Sequence, residues 1–174
     1  MEIRLRDERA TQQLGKALAG FLAAMEPRPA LLLTGPLGAG KTTLTRYMTQ
    51  ALPGGDQAEV SSPSFNLLNL YPTRPELAHF DFYRMHGAEP DQELLETLDN
   101  PALIRVAEWI DRLDMEYWPL PWMLLEMEGS GEARGARTTV KARNDGEEQA
   151  LKLAWRASLD ESGLGDHSGG LGPE

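Results

Sequence analysis

The run Gly35-Pro36-Leu37-Gly38-Ala39-Gly40-Lys41-Thr42 constrains this 174-residue chain more than any other feature. It satisfies G-x-x-x-x-G-K-[ST] in full, and the pattern has a mechanical reading. Glycines admit the backbone angles that turn successive N–H groups inward, which makes a concave anion cradle. A helix beginning near Lys41 aims its positive end at the same point. Lys41 adds a positive charge for β- and γ-phosphate oxygens, and the Thr42 hydroxyl is a hard ligand for Mg2+. Thr43 adds a hydroxyl for an α-phosphate, whereas Pro36 removes one donor at the loop's entrance. Gly35, Pro36, Leu37, Gly38, Ala39, Gly40, Lys41, Thr42 and Thr43 are therefore the expected nucleotide-binding residues.

The cradle needs a buried strand before it and a helix after it, and both are legible. Ala30–Thr34 is a nearly continuous apolar run, as in a strand covered on both faces. Lys41–Leu52 places Leu44, Tyr47, Met48 and Leu52 on one helical face. Upstream, Ile3 and Leu5 alternate with charges in a short edge strand. Asp7 or Thr11 caps a helix carrying Leu14, Ala17, Leu18, Phe21, Leu22 and Met25, stopped by Pro27 and Pro29. Downstream, Phe65–Tyr71, Ala78–Tyr83, Leu103–Ala107 and Trp122–Met127 read as strands, and Glu89–Thr97 as a helix. Thr138–Arg143 and Ala150–Arg156 flank Asn144-Asp145-Gly146, which reads as a β-hairpin loop. The expectation is a three-layer α/β domain over 1–157, with a mixed central sheet and helices on both faces. Residues 158–174, rich in Gly, Ser and acids, are expected to lack fixed structure.

Composition narrows the chemistry further. Seventeen Lys and Arg against 27 Asp and Glu leave a formal charge of −10, which disfavours a broad basic face for nucleic acid. Zero Cys excludes disulfides, thiol nucleophiles and thiolate metal sites. His79, His86 and His167 are too scattered for a histidine metal cluster. No apolar run approaches the roughly 20 residues of a membrane span. The charged start has no apolar signal core, so a cytoplasmic protein is expected.

A nucleotide hydrolase also needs carboxylates beside the metal and the attacking water. Asp81 and Glu108 each end a strand-like segment downstream of the loop and are the candidates. Ser62 and Ser64 lie where a switch segment senses a γ-phosphate; as isolated residues they are ordinary turn hydroxyls around Pro63. His79 reads as a partnered strand histidine and not as a base. Trp109 either packs near the nucleotide or fills core. Tyr83 and Arg84 read as protein contacts or switch anchors, with transition-state charge an alternative for Arg84. Arg134 and Arg137, beside Gly131 and Gly135, read as a solvated hairpin within possible reach of a nucleotide.

These blocks together resemble the TsaE (YjeE) family of small bacterial ATPases. The resemblance rests on Ala10-Thr11-Gln12-Gln13-Leu14-Gly15, the loop through Thr43, and Ser62-Pro63-Ser64-Phe65. His79-Phe80-Asp81-Phe82-Tyr83-Arg84 and Glu108-Trp109 complete it; the H-x-D-x-Y-R block is the most discriminating. Pro36 and Ser64 depart from the acid and Thr often found there, and Arg105 interrupts an otherwise apolar strand. The resemblance implies a P-loop ATPase using ATP and Mg2+. Lys41, Asp81 and Glu108 would be catalytic, Thr42, Asp81 and Glu108 would serve the metal, and Thr11 would frame the nucleotide-base side. It also implies TsaB and TsaD homologues as partners in forming threonylcarbamoyladenosine on tRNA. The tRNA would be met only through those partners, and no membrane is involved. Two other classes share the loop: a small-molecule kinase and a non-catalytic nucleotide-dependent binding module.

Overall fold

The computed structural model describes residues 1–85, 89–129 and 134–165. His86, Gly131 and His167 lie outside the described residues, as does the segment 166–174. Seven strands are formed: β1 Glu2–Leu5, β2 Ala30–Thr34, β3 Leu68–Tyr71, β4 Leu77–Asp81, β5 Ile104–Glu108, β6 Trp122–Glu128 and β7 Arg134–Lys141. The α-helices are α1 Glu8–Ala24, α2 Lys41–Ala51, α3 Gln92–Asp99 and α4 Asp145–Ser162.

The strands form one mixed sheet in the order β1-β7-β6-β2-β5-β4-β3. The strand leading into the glycine loop, β2, lies at its centre and runs parallel to β5 and β6. A further parallel pairing joins β4 to β5, while β3, β7 and β1 add antiparallel margins. Parallel central strands are covered on both faces, which is why β2 reads as unbroken apolar sequence. Its side chains divide by parity: Leu31 and Leu33 pack with α1, α2 and α4, whereas Ala30 and Leu32 pack with α3. Helices thus cover both faces of the sheet, as the sequence implied.

Parallel register also sets the site. Leu33 lies opposite Glu108, and Asp81 lies opposite Glu108 on the other side. The last residues of β4 and β5 are therefore level with the end of β2, where the glycine loop begins.

Two sequence expectations are corrected. Ala150–Arg156 is not a hairpin strand; it belongs to α4. Asn144 is the helix N-cap, its side chain accepting from Glu147 N at 3.0 Å. Leu151, Trp155 and Leu159, spaced by four, are the residues α4 buries. An Asx residue before a glycine serves either a turn or a cap; this apolar period decides for the helix. The second correction concerns the boundary at 157, which falls inside α4. Residues 158–162 complete the helix, and Gly163 (φ 73°) ends it in a left-handed cap.

Strand ends also shift. Leu67 adopts φ 63°, so β3 begins only at Leu68 and Phe65 lies outside it. Asp7 is the cap of α1, accepting from Ala10 N at 2.7 Å. Arg105 is buried in β5 and donates to the backbone carbonyls of Leu98 and Arg28, tying the end of α3 to the approach of β2. Burial pushes its guanidinium down to about 10.

Candidate active site

The turn from β2 to α2 is built on left-handed glycines. Gly35, Gly38 and Gly40 have φ of 132°, 82° and 100°, values that L side chains rarely adopt. A Cβ at Gly35 would collide with the Met127 carbonyl oxygen of β6. Beside Gly38 a Cβ would meet only open space. Gly40 is the N-cap of α2 and contributes no side chain, leaving the first-turn N–H groups to a ligand.

Lys41 is buried and folds back over this turn. Its Nζ donates to the carbonyls of Gly35 at 2.6 Å and Pro36 at 3.0 Å, and sits 3.7 Å from the centre of the Trp109 ring. Burial holds its ammonium below the ordinary lysine range, partly offset by the carboxylates of Glu108, Asp111 and Asp81. Trp109 itself stands at φ 57°, a strained angle for a bulky residue, and packs 5.0 Å from the Tyr83 ring.

The two expected acids converge here. Glu108 Oε2 accepts from the Thr42 hydroxyl at 3.0 Å, while Oε1 lies 3.5 Å from Thr45 Oγ1 and 2.7 Å from His79 Nε2. Asp81 accepts from the Ser62 hydroxyl on one oxygen and from Tyr83 N at 2.9 Å on the other. Ser62 thereby ties the Ser61–Ser64 segment to β4, and Arg84 stacks 4.3 Å over the exposed Phe65 ring of the same stretch. These groups share a cavity of about 380 Å3 lined by Gly38, Gly40, Lys41, Thr42, Thr43 and Ser62, with Ser64, Asp81, Arg84, Glu108 and Trp109 closing it. Two larger grooves, of about 670 and 710 Å3, lie along α1 and contain neither the loop lysine nor these acids.

Leu37 also lines the cavity, whereas four expected residues, Thr11, Gly35, Pro36 and Ala39, do not. Thr11 is buried in the first turn of α1, its hydroxyl 3.4 Å from the Asp7 carbonyl, and does not line the cavity. Pro36 and Ala39 support the turn without lining it. His79 is partnered, as the sequence implied, but the identity of its partner, Glu108, was not read; the same parity of His79 and Asp81 on β4 is the signal for it. Trp109 packs beside the loop, one of its two expected places, but its seat over Lys41 and the Thr45 hydroxyl behind Glu108 left no sequence signal. The Arg134 guanidinium reaches the loop, 3.9 Å from where a Gly40 Cβ would stand.

The donor set tests the metal that the resemblance implies. Among the described residues no group of three His, Cys, Asp or Glu is arranged to hold an ion by itself. The Thr42 hydroxyl with the carboxylates of Glu108 and Asp81 is instead an incomplete set of hard oxygens. That chemistry suits Mg2+, which is commonly held by one or two carboxylates together with substrate phosphates and water.

Fold and site together define a P-loop-like α/β domain. The family model described as threonylcarbamoyl adenosine biosynthesis protein TsaE matches residues 5–139, and the chain belongs to that family. The Haemophilus influenzae protein of that name is 37% identical over 112 residues, covering 61% of this chain and 68% of its own. That of Aquifex aeolicus is 35% identical over 112 residues, covering 64% and 77%. That of Rickettsia bellii is 35% identical over 127 residues, covering 71% and 81%. The crystal structure of Bacillus subtilis YdiB superposes with a TM-score of 0.61 over 89% of this chain and 93% of that one. At 23% identity that likeness speaks to the fold. No helix among the described residues is long and apolar enough to cross a membrane.

Proposed function

We propose that this chain is a cytoplasmic, Mg2+-dependent ATPase that assists homologues of TsaB and TsaD in forming threonylcarbamoyladenosine on tRNA. The observation that carries the ATPase reading is the meeting of Lys41, Thr42, Asp81 and Glu108 around one cavity at the start of α2. The pathway and the partners rest on family membership and on the names of the relatives.

In this reading the loop N–H groups and Lys41 bind the phosphates, and Lys41 exchanges the Gly35 and Pro36 carbonyls for β- and γ-oxygens. Thr42, Glu108 and Asp81 hold the metal, directly or through water. When bound, Mg2+ neutralises charge on the phosphate oxygens. Glu108 and Asp81 also orient the attacking water, and the Ser62–Ser64 segment closes over the γ-phosphate. Catalysis is then chiefly positioning and electrostatics, the usual mode of phosphoryl transfer at such loops. Because a single side-chain hydrogen bond to Asp81 tethers Ser62, turnover by the isolated chain is expected to be slow and to rise when partners order the segment.

The test is phosphate release from ATP by the purified chain, alone and with the TsaB and TsaD homologues. Hydrolysis that rises with partners and falls by about 10²–10³-fold in Lys41→Ala supports the proposal. Binding without phosphate release under either condition replaces it with a non-catalytic nucleotide-dependent module. Transfer of labelled phosphate to a small acceptor replaces it with a kinase.

A further inference from the structure

Glu108 ends β5 with its two oxygens in different company. Oε2 faces the loop and accepts from Thr42 at 3.0 Å. Oε1 is turned away from Thr42, 2.7 Å from His79 Nε2 and 3.5 Å from Thr45 Oγ1. Both His79 and Glu108 are almost wholly buried. A carboxylate offers only lone pairs, so the hydrogen between them is carried on Nε2. His79 Nδ1, on the other side of the ring, has no hydrogen-bond partner.

Packing alone does not account for that choice of residue. The β5 residue opposite His79 is Val106, and the ring of Tyr71 stands 6.3 Å away, so the surroundings include good neighbours for an aliphatic side chain. An imidazole placed here leaves one polar atom unsatisfied in the interior, which is unfavourable. What the imidazole supplies is a donor on a rigid central strand, aimed at one oxygen of the acid. A carboxylate held by one contact swivels about its last bonds; held at Oε1, it presents Oε2 in a fixed place.

We propose that His79 is a positioning residue for Glu108: its Nε2–H anchors Oε1 so that Oε2 alone is presented to Thr42, Mg2+ and water. This rests on the hydrolase reading above. His79 touches neither phosphate nor metal, and acts only through Glu108. Groups that orient a metal-binding side chain in this way commonly matter by roughly 10–100-fold in metal affinity or activity.

Two substitutions and three readouts test it. His79→Leu removes the donor in a buried position that accepts an aliphatic side chain. His79→Gln keeps an N–H near the place of Nε2. The expected result is a roughly 10–100-fold lower kcat and a higher Mg2+ requirement in His79→Leu, with most of both restored in His79→Gln. Nucleotide affinity measured in EDTA with a fluorescent ADP analogue stays near the parent's, and far-UV circular dichroism confirms that the variant is folded. Nitrogen NMR of the unmodified chain shows one histidine locked as the Nε2–H tautomer, a signal that His79→Gln removes. If His79→Leu does not fold, His79→Asn takes its place, since its shorter amide cannot reach Oε1.

The inference is overturned if the donor-lacking variant matches the parent in kcat and Mg2+ requirement, or if His79→Gln fails to differ from it. It is also overturned if the nitrogen spectrum shows no hydrogen on His79 Nε2. Should the parent release no phosphate at all, the hydrolase reading fails by itself. The Mg2+ enhancement of nucleotide binding, parent against His79→Leu, then still decides whether His79 positions Glu108.

Discussion

Lys41 Nζ lies 3.7 Å from the centre of the Trp109 ring while donating to two carbonyls of its own loop. The lysine that a phosphate would attract is thus held between backbone oxygens and an indole face. Phosphate binding must draw it off both. Trp109 emission is expected to change when ATP or ADP is added, and the change is expected to vanish in Trp109→Phe. Titrating each protein with nucleotide while recording fluorescence checks this; an unaltered signal in Trp109→Phe would assign it to another tryptophan.

In the proposed hydrolase, removal of the Lys41 charge would take away the main electrostatic partner of developing phosphate charge. Lys41→Ala is expected to lower turnover by about 10²–10³-fold, the usual cost of losing one preorganised donor at such a site. The fold should survive, because Lys41 contributes to the loop and not to either apolar layer. Circular dichroism alongside phosphate release separates the two outcomes.

The direction of the Lys41 shift gives a pH dependence. Burial lowers its pKa, so the ammonium is lost at a lower pH than for an ordinary lysine. Nucleotide affinity needs the charged form, so it is full on the acid side and declines as pH rises through the lowered value. Binding curves from neutral to alkaline pH test the sign. Affinity that increases toward alkaline pH contradicts it.

Ser62 holds one oxygen of Asp81, and Phe65, three residues on, is 82% exposed. In Ser62→Ala the tether is lost and the segment opens more often. A hydrogen bond to a charged group contributes about 1.5–3 kcal/mol, so opening increases by roughly ten-fold or more. Limited chymotrypsin digestion should cut after Phe65 correspondingly faster in the variant, with nucleotide slowing both proteins.

Helix α4 supplies two stability predictions. Asn144→Ala removes its cap and is expected to cost about 1 kcal/mol. Trp155 is buried, 5.3 Å from the Phe21 ring, with its indole N–H on Thr138 Oγ1 at 3.3 Å. Trp155→Ala is expected to cost about 3–5 kcal/mol. Urea unfolding of the two variants measures both; a Trp155→Ala loss below 1 kcal/mol would mean that α4 is only loosely docked.

Much of the site was legible because its geometry is local. The spacing from Gly35 to Thr43 fixes a loop, and the loop needs a buried strand before it and a helix after it. Asp81 and Glu108 were legible by the same logic, since a parallel neighbour of β2 must end near the loop. What misled was also local: Asn144-Asp145-Gly146 carries the composition of a hairpin turn and of a helix start alike. Only the burial of Leu151, Trp155 and Leu159 against α1 and the sheet separates them.

The amino-acid sequence by itself determined that a glycine-rich cradle of the G-x-x-x-x-G-K-[ST] spacing is present, which strand and helix build it, and that oxygen-bearing side chains, with no Cys, are the donors near it. Tertiary structure decided which groups stand around that cradle. The indole over Lys41, the Ser62 hydroxyl on Asp81 and the imidazole behind Glu108 join residues far apart in the chain. Their meeting depends on the register of parallel strands, where a shift of one residue would turn His79 and Asp81 to the opposite face. Such register is set by the packing of two apolar layers across the whole sheet, and no short stretch of sequence contains it.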